Sequence, residues 1–312
     1  MSYWDEKHSE EKEPFEKACM NVGHRITAKG AMALMCCVDG SSQSDVAFQS
    51  TLNLRRKFDH VTVFHAYRDD PNLQPATWRH NQLLSKFDIE LIGHVPKGLF
   101  SLAFVDREGQ TVNTVLHKNV DPEHFLNLSR EPSILAGPPD LIVMGHHGRK
   151  GPKSKKSAIG STADQALRML HYPCLIIKSL LPSGPRSYVM AVNDSTTSMR
   201  GFDILMRFVN PRDTVVIVHF THPLKYDPQL AEAKNPIKSH YEKELHEIGP
   251  VNSRFEFAEY ELGVPPADAI VNYVNDSTAD VFAIAPRASK DRSSITEAVV
   301  NNVLVNVLLC KN

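Results

Sequence analysis

One property constrains this chain of 312 residues before any other: it carries the same passage twice. "MCCVDGSSQSDVAFQSTLNLRRKFDHVTVFHAY" and "VMAVNDSTTSMRGFDILMRFVNPRDTVVIVHFT" align without a gap. Val38 falls on Val192, Asp39 on Asn193, Ser41 on Ser195, Phe48 on Phe202, Val61 on Val215 and His65 on His219. Each copy reads as an apolar strand, a Ser/Asp-rich turn, a helix of about four turns and a second strand. The strands show little alternation, the pattern of parallel strands covered on both faces. A second shared block follows in each half: "PPDLIVMGHHG" answers "TADVFAIAPRA", with Asp140 over Asp280, and the closing strands "CLIIK" and "VLLCK" correspond.

Alternating strands and helices with right-handed crossovers build an open, twisted parallel sheet with helices on both sides. The expected architecture is therefore α/β: two tandem open parallel twisted sheets flanked by helices, Rossmann-like in their winding. Between the shared blocks the halves differ. The first contains "LIGHVPKGLFSLAFVDREGQT", read as an additional hairpin. The second has a helix at "IKSHYEKELHEIG", a strand at "FEFAEYEL" and a helix opened by Pro265-Pro266. The apolar "NVLVNVLLC" reads as the final strand. "LLPSGPRS", residues 180–187, has the two prolines and glycine of a joint. Residues 1–30 read as a mobile arm, 31–180 as the first domain, 181–187 as the linker and 188–312 as the second domain.

Charge and cysteine content narrow the function classes. Lys plus Arg number 35 against 36 Asp plus Glu, a balance that does not favour nucleic acid or a membrane as partner. No apolar run approaches the roughly 18 residues of a transmembrane helix, and the charged start is unlike a secretory signal. Cys36, Cys37, Cys174 and Cys310 lie in apolar runs, as small buried hydrophobes or, for the adjacent pair, as a redox element. The usage suits a reducing cytoplasm, with nuclear entry left open.

The most informative stretch is "IVMGHHGRKGPKSKKSAIGSTADQAL". It follows an apolar strand and precedes a helix, which puts it at the carboxyl edge of the sheet, where open α/β folds bind ligands. Gly145 and Gly148 allow the backbone to approach an anion, and Gly160-Ser161-Thr162 opens a helix whose free N–H groups favour phosphate. Ser161 and Thr162 donate to a phosphate oxygen or simply cap the helix; both readings stand. Arg149, Lys150, Lys153, Lys155 and Lys156 place five cations within eight residues. They read as a solvated loop, as a phosphate lid in which Arg149, Lys150 and Lys153 neutralise outer charge, or as a nuclear-localisation-like patch. Asp39 is either a helix cap or a ligand group. The recurrence of His65 as His219 argues for a structural histidine. His146 and His147 lack a carboxylate or thiol at metal-ligand spacing, so no metal site is expected. No Walker signature is present, and no nucleophile with a paired base, so no catalytic residues are assigned.

Taken together, "ALMCCVDGSSQS", "VFHA" and "DLIVMGHHG…GSTADQALRMLHYPCLIIK" resemble the universal stress protein family, in its tandem two-domain form. The family's G-x-x-G, nine residues, G-[ST] pattern is matched by Gly145, Gly148, Gly160 and Ser161, except that eleven residues intervene here. The resemblance implies an adenine-nucleotide α-hydrolase-like fold and one adenine-nucleotide site in the first half. ATP is the implied ligand, with Mg²⁺ as a plausible companion. Asp39 and Ser41 would stand at the first strand's end, and the backbone at Ala66 would meet the adenine edge. Met144, Gly145, His147, Gly148, Gly160, Ser161 and Thr162 would line ribose and phosphates.

In the second half the motif decays: Gly145 becomes Ala285, Gly148 becomes Ala288, Gly160 lands near Ser293 and Asp39 becomes Asn193. Pro286 also removes a backbone donor. The second domain is expected to bind no nucleotide, or to bind it poorly, and to serve as a structural mate. As in the family's dimers, the last strands would pair into an intramolecular pseudo-dimer, with further self-association open. Three functions follow: a nucleotide-binding stress sensor or partner switch, a nucleotide-independent scaffold of the same fold, and a slow ATP hydrolase.

Overall fold

The computed structural model describes residues 32–56, 59–66, 100–105, 139–148, 159–160, 163–164, 172–221, 228–248, 250, 252–286 and 294–311. The expected N-terminal arm, Ser161, Thr162, the cationic loop from Arg149 to Lys156, Ala288 and Ser293 lie outside these residues.

The repeat is visible first in how its helices start. Helix α1 (Ser42–Leu54) is capped by Ser41, whose hydroxyl accepts from Ser44 N at 3.1 Å. Helix α2 (Thr196–Phe208) is capped by Ser195, which accepts from Ser198 N at 3.2 Å. Each cap satisfies one of the orphan donors of a first helical turn. Phe48 and Phe202, each the seventh residue of its helix, are both fully buried.

Strands β1 (Ala33–Cys37), β2 (His60–Ala66), β3 (Phe100–Val105), β4 (Leu141–Gly145) and β5 (Cys174–Ile177) belong to the first half. Strands β6 (Ser187–Val192), β7 (Thr214–Thr221), β8 (Asn252–Glu259), β9 (Val281–Ile284) and β10 (Asn306–Leu309) belong to the second. They form one ten-stranded sheet in the order β3-β2-β1-β4-β5-β10-β9-β6-β7-β8. Within each half every pairing is parallel. Four repeated acids set the strand starts. Asp59 Oδ1 accepts from Met32 N at 2.9 Å, and Asp213 Oδ1 accepts from Arg186 N at 2.8 Å. Asp140 and Asp280 accept from Ala33 N and Ser187 N, each at 2.8 Å.

The halves meet at β5 and β10, which pair antiparallel: Ile176 with Val307, Leu175 with Leu308, Cys174 with Leu309. Ile142 pairs with Cys174 in the first half and Phe282 with Val307 in the second, so Leu175 and Leu308 occupy equivalent positions. They face each other at the centre of a local two-fold. Asn306 ties the joint: its Oδ1 accepts from Lys178 N at 2.8 Å and Ser179 N at 3.0 Å, while its Nδ2 donates to Asp280 O at 2.9 Å. Helix α3 (Pro228–Ile248) covers one face of the second half, and helices α4 (Pro266–Asp276) and α5 (Ser294–Asn302) cover the other. The core has one cluster on each face of the sheet, and both run through the joint.

Two local expectations are corrected, and a third is described only in part. Of the stretch read as a hairpin only β3 lies among the described residues; it pairs parallel with β2, from Val61 with Phe100 to Ala66 with Val105, the place that β8 holds in the second half, and the rest of that stretch lies outside the described residues. The last strand is shorter than "NVLVNVLLC": α5 runs to Asn302, and β10 begins only at Asn306. Helix α3 begins at Pro228 and passes through Pro236, well before the expected start at Ile237. Cys36 and Cys37 are both free; they alternate along β1, so Cys36 joins one core cluster and Cys37 packs against the other. Burial pushes the Cys36 and Cys174 thiols up to about 12, and burial also raises Cys37 well above the usual thiol range, so all three stay protonated and are packing groups.

Candidate functional site

In the first half the strand order reverses between β1 and β4, both neighbours of each other at the centre of the 3-2-1-4-5 arrangement. The crevice beyond their carboxyl ends is where such sheets take ligands. After β1 the chain runs Asp39-Gly40-Ser41. Asp39 Oδ1 accepts from Ser41 N at 2.9 Å, closing an Asx turn, and Gly40 sits at φ 78°, a left-handed conformation that costs glycine little. Ser41 then starts α1.

After β4 comes the turn Gly145-His146-His147-Gly148, and each of its glycines stands at a close approach. A Cβ on Gly145 would lie 3.0 Å from the carbonyl carbon and oxygen of Gln43, in the first turn of α1. A Cβ on Gly148 would lie 2.4 Å from Asp39 Oδ2. A Cβ on Gly160 would lie 3.1 Å from His147 Cα and 3.3 Å from Gly148 N. The glycines thus let three backbone segments converge: the β1 end, the β4 end and the residues entering the next helix. Gly160 N donates to His146 O at 2.8 Å, and Asp164 N donates to Gly160 O at 2.9 Å, the first helical bond there.

The structure brings Asp39, Ser41, Gly145, His147, Gly148 and Gly160 to this one crevice. Ala66 is the last residue of β2, beside β1. Met144 lies at the same edge, but its side chain is buried in the core cluster on the face away from α1, so only its backbone can serve a ligand. Two polar groups emerge that the sequence did not single out. Gln43 Oε1 is buried without a hydrogen-bond partner, and so is His147 Nδ1. Gln43 could not be found from the pattern, because its place depends on how closely α1 approaches the end of β4. His146 is tied down differently: its backbone N donates to Ile177 O at 2.9 Å, and its Nδ1 lies 3.2 Å from the same oxygen. Burial, and then the neighbouring His147, hold His146 below the usual histidine range, which keeps it neutral at pH 7.

The second half has the same scaffold with different contents. Asn193 Oδ1 accepts from Ser195 N at 3.0 Å, Ser195 Oγ at 2.5 Å and Ser198 Oγ at 2.7 Å, so the amide oxygen is consumed by its own turn. The small residue has moved from strand to helix. Where Gly145 faces α1, Ala285 now carries a Cβ, and Gly201 of α2 receives it; a Cβ on Gly201 would lie 2.5 Å from that of Ala285. His219 Nδ1 bonds Val192 O at 2.9 Å, joining β7 to β6, which is a structural task. Among the described residues no group of three or more His, Cys, Asp or Glu could hold a metal ion, and no helix is long and apolar enough to cross a membrane.

No family model and no curated protein matches the chain in sequence. Solved structures do match in shape. A universal stress protein from Archaeoglobus fulgidus superposes with a TM-score of 0.57 at 13% identity, over 89% of this chain and 98% of that one. A functionally unknown protein from Pseudomonas aeruginosa gives a TM-score of 0.56 at 15% identity, over 90% and 92% of the respective chains. The chain therefore has the α/β, Rossmann-like fold of the universal stress proteins, along nearly its whole length. The likeness is one of architecture; what the crevice does is argued from its own residues.

Proposed function

We propose that the first-half crevice binds an adenine nucleotide, ATP foremost, and that the protein acts as a stress-response sensor or partner-binding switch rather than as an enzyme. One observation carries this reading. At the strand-order reversal, three glycines at close approaches, Gly145, Gly148 and Gly160, bring the backbone of two turns and the residues entering the next helix together, whereas in the second half Ala285 stands where Gly145 does in the first. Backbone N–H groups at such a junction suit an anion, and the helix that the sequence places after Gly160 would add the positive end of its dipole. Buried polar atoms without partners at the same place support a ligand with complementary groups.

Calorimetry of the intact protein with ATP tests the reading. The expected outcome is saturable binding with one site per chain; absence of binding, together with no nucleotide among small molecules released on denaturing the purified protein, refutes it. The scaffold reading is favoured by the continuous sheet and the core shared across the joint, and it would take over in that event.

A further inference from the structure

The crevice is not uniformly suited to phosphate. Gln43 stands directly over Gly145, its Cβ 3.1 Å from where a Gly145 Cβ would be, so its side chain leaves α1 at the β4 end. The residue as a whole is half-buried, yet its Oε1 is fully buried and unpartnered. His147 Nδ1, on the same turn, is also unpartnered, and the Asp39 carboxylate lies against Gly148. Two acceptors, Gln43 Oε1 and the Asp39 carboxylate, therefore stand on the side of the turn that faces β1 and α1. An ionised polyphosphate offers only acceptors, and a carboxylate beside it repels it. What fits the acceptor side is a group that donates.

We propose that Gln43 is a specificity-determining residue of this site, accepting a hydrogen bond from a sugar hydroxyl, so that the crevice selects a ribonucleotide over its deoxy form. The proposal rests on the nucleotide reading above and names the part of the ligand read here. The terminal torsion of a glutamine side chain is broad, so the carboxamide of this half-buried residue turns its buried oxygen toward the crevice at small cost and gains the bond that oxygen lacks. At the corresponding position the second half has Thr197, too short to reach across in the same way.

The test is calorimetry on the full chain with ATP, 2′-deoxy-ATP, 3′-deoxy-ATP and inorganic triphosphate, for the natural protein and for Gln43→Met and Gln43→Glu. The natural protein is expected to prefer ATP about fivefold to tenfold over one of the deoxy forms, and to bind inorganic triphosphate least. Gln43→Met should remove that preference by weakening ATP toward the deoxy value, whereas Gln43→Glu, which keeps an acceptor, should retain it. Thermal melts of the variants check folding, and the natural protein's own ATP to deoxy-ATP ratio needs no variant. Equal binding of ATP and both deoxy forms, or a preference that survives in Gln43→Met, overturns the role of Gln43 and leaves nucleotide binding standing. No binding of any nucleotide overturns both.

Discussion

At the scale of the residue, the site turns on contacts that leave no room for a methyl group. Gly148 lies so close to Asp39 that Gly148→Ala forces its Oδ2 to shift, which disturbs the carboxylate whose Oδ1 closes the Asx turn on Ser41 N. Calorimetry should show ATP affinity falling at least about tenfold in Gly148→Ala. The double variant with Asp39→Ala should lose far less than the two single losses combined, because the two residues share one contact. The second half supplies a mirror experiment. Gly201→Ala sets its new Cβ against Ala285 and should cost about 1–3 kcal/mol in urea denaturation, and adding Ala285→Gly should restore most of it. Part of this was legible beforehand. Asp39, Gly145, Gly148 and Gly160 could be placed at one sheet edge from strand and helix patterns alone. That Gly148 makes room for Asp39, or that Gly201 compensates for Ala285, could not be, since each depends on a contact between segments far apart in sequence.

At the scale of the element, Lys178 links the end of β5 to the end of α5. Its Nζ donates to Val300 O at 2.8 Å and to Val303 O, filling carbonyls that the helix leaves without partners. Burial pulls the amine down to about 8, whereas an unfolded lysine titrates near 10.4. The folded amine therefore sheds its proton first. Between about pH 8 and 10.4 the unfolded chain binds more protons at this group than the folded one, and stability from Lys178 rises with pH across that window. Below it, the burial penalty on the charged amine is fully present. Urea midpoints measured from pH 7 to 10.5 should show that rise in the natural protein relative to Lys178→Met, where the increment is missing. The elements themselves were readable to different degrees. α1 and α2 announce themselves through Ser41 and Ser195, each a short-range cap followed by an apolar face. The partner of β3 is not legible, because a strand in a long insert shows nothing of the distant strand it joins, here β2 in a parallel pairing.

At the scale of the whole molecule, the sheet and both core clusters run through the joint, so the chain should unfold as one cooperative unit. Circular dichroism and intrinsic fluorescence are expected to report a single, coincident thermal transition; two separated transitions would contradict the continuity described. Leu308→Ala opens a cavity opposite Leu175, both all but inaccessible at 2% and 3% exposure, and should cost about 2–5 kcal/mol spread over both halves. The ion pair of Arg207 with Asp140, 2.6 Å long but solvent-facing, should by contrast be worth about 1 kcal/mol or less in a double-mutant cycle. The pairing of Leu175 with Leu308 has a further consequence. Because both strands of that two-fold belong to one polypeptide, their meeting is a unimolecular event. Dilution cannot part them, and no threshold amount of protein is needed before the joint forms. Each side is also free to change sequence without a matching change in its mate, which is the freedom that a symmetric pair of identical chains never has.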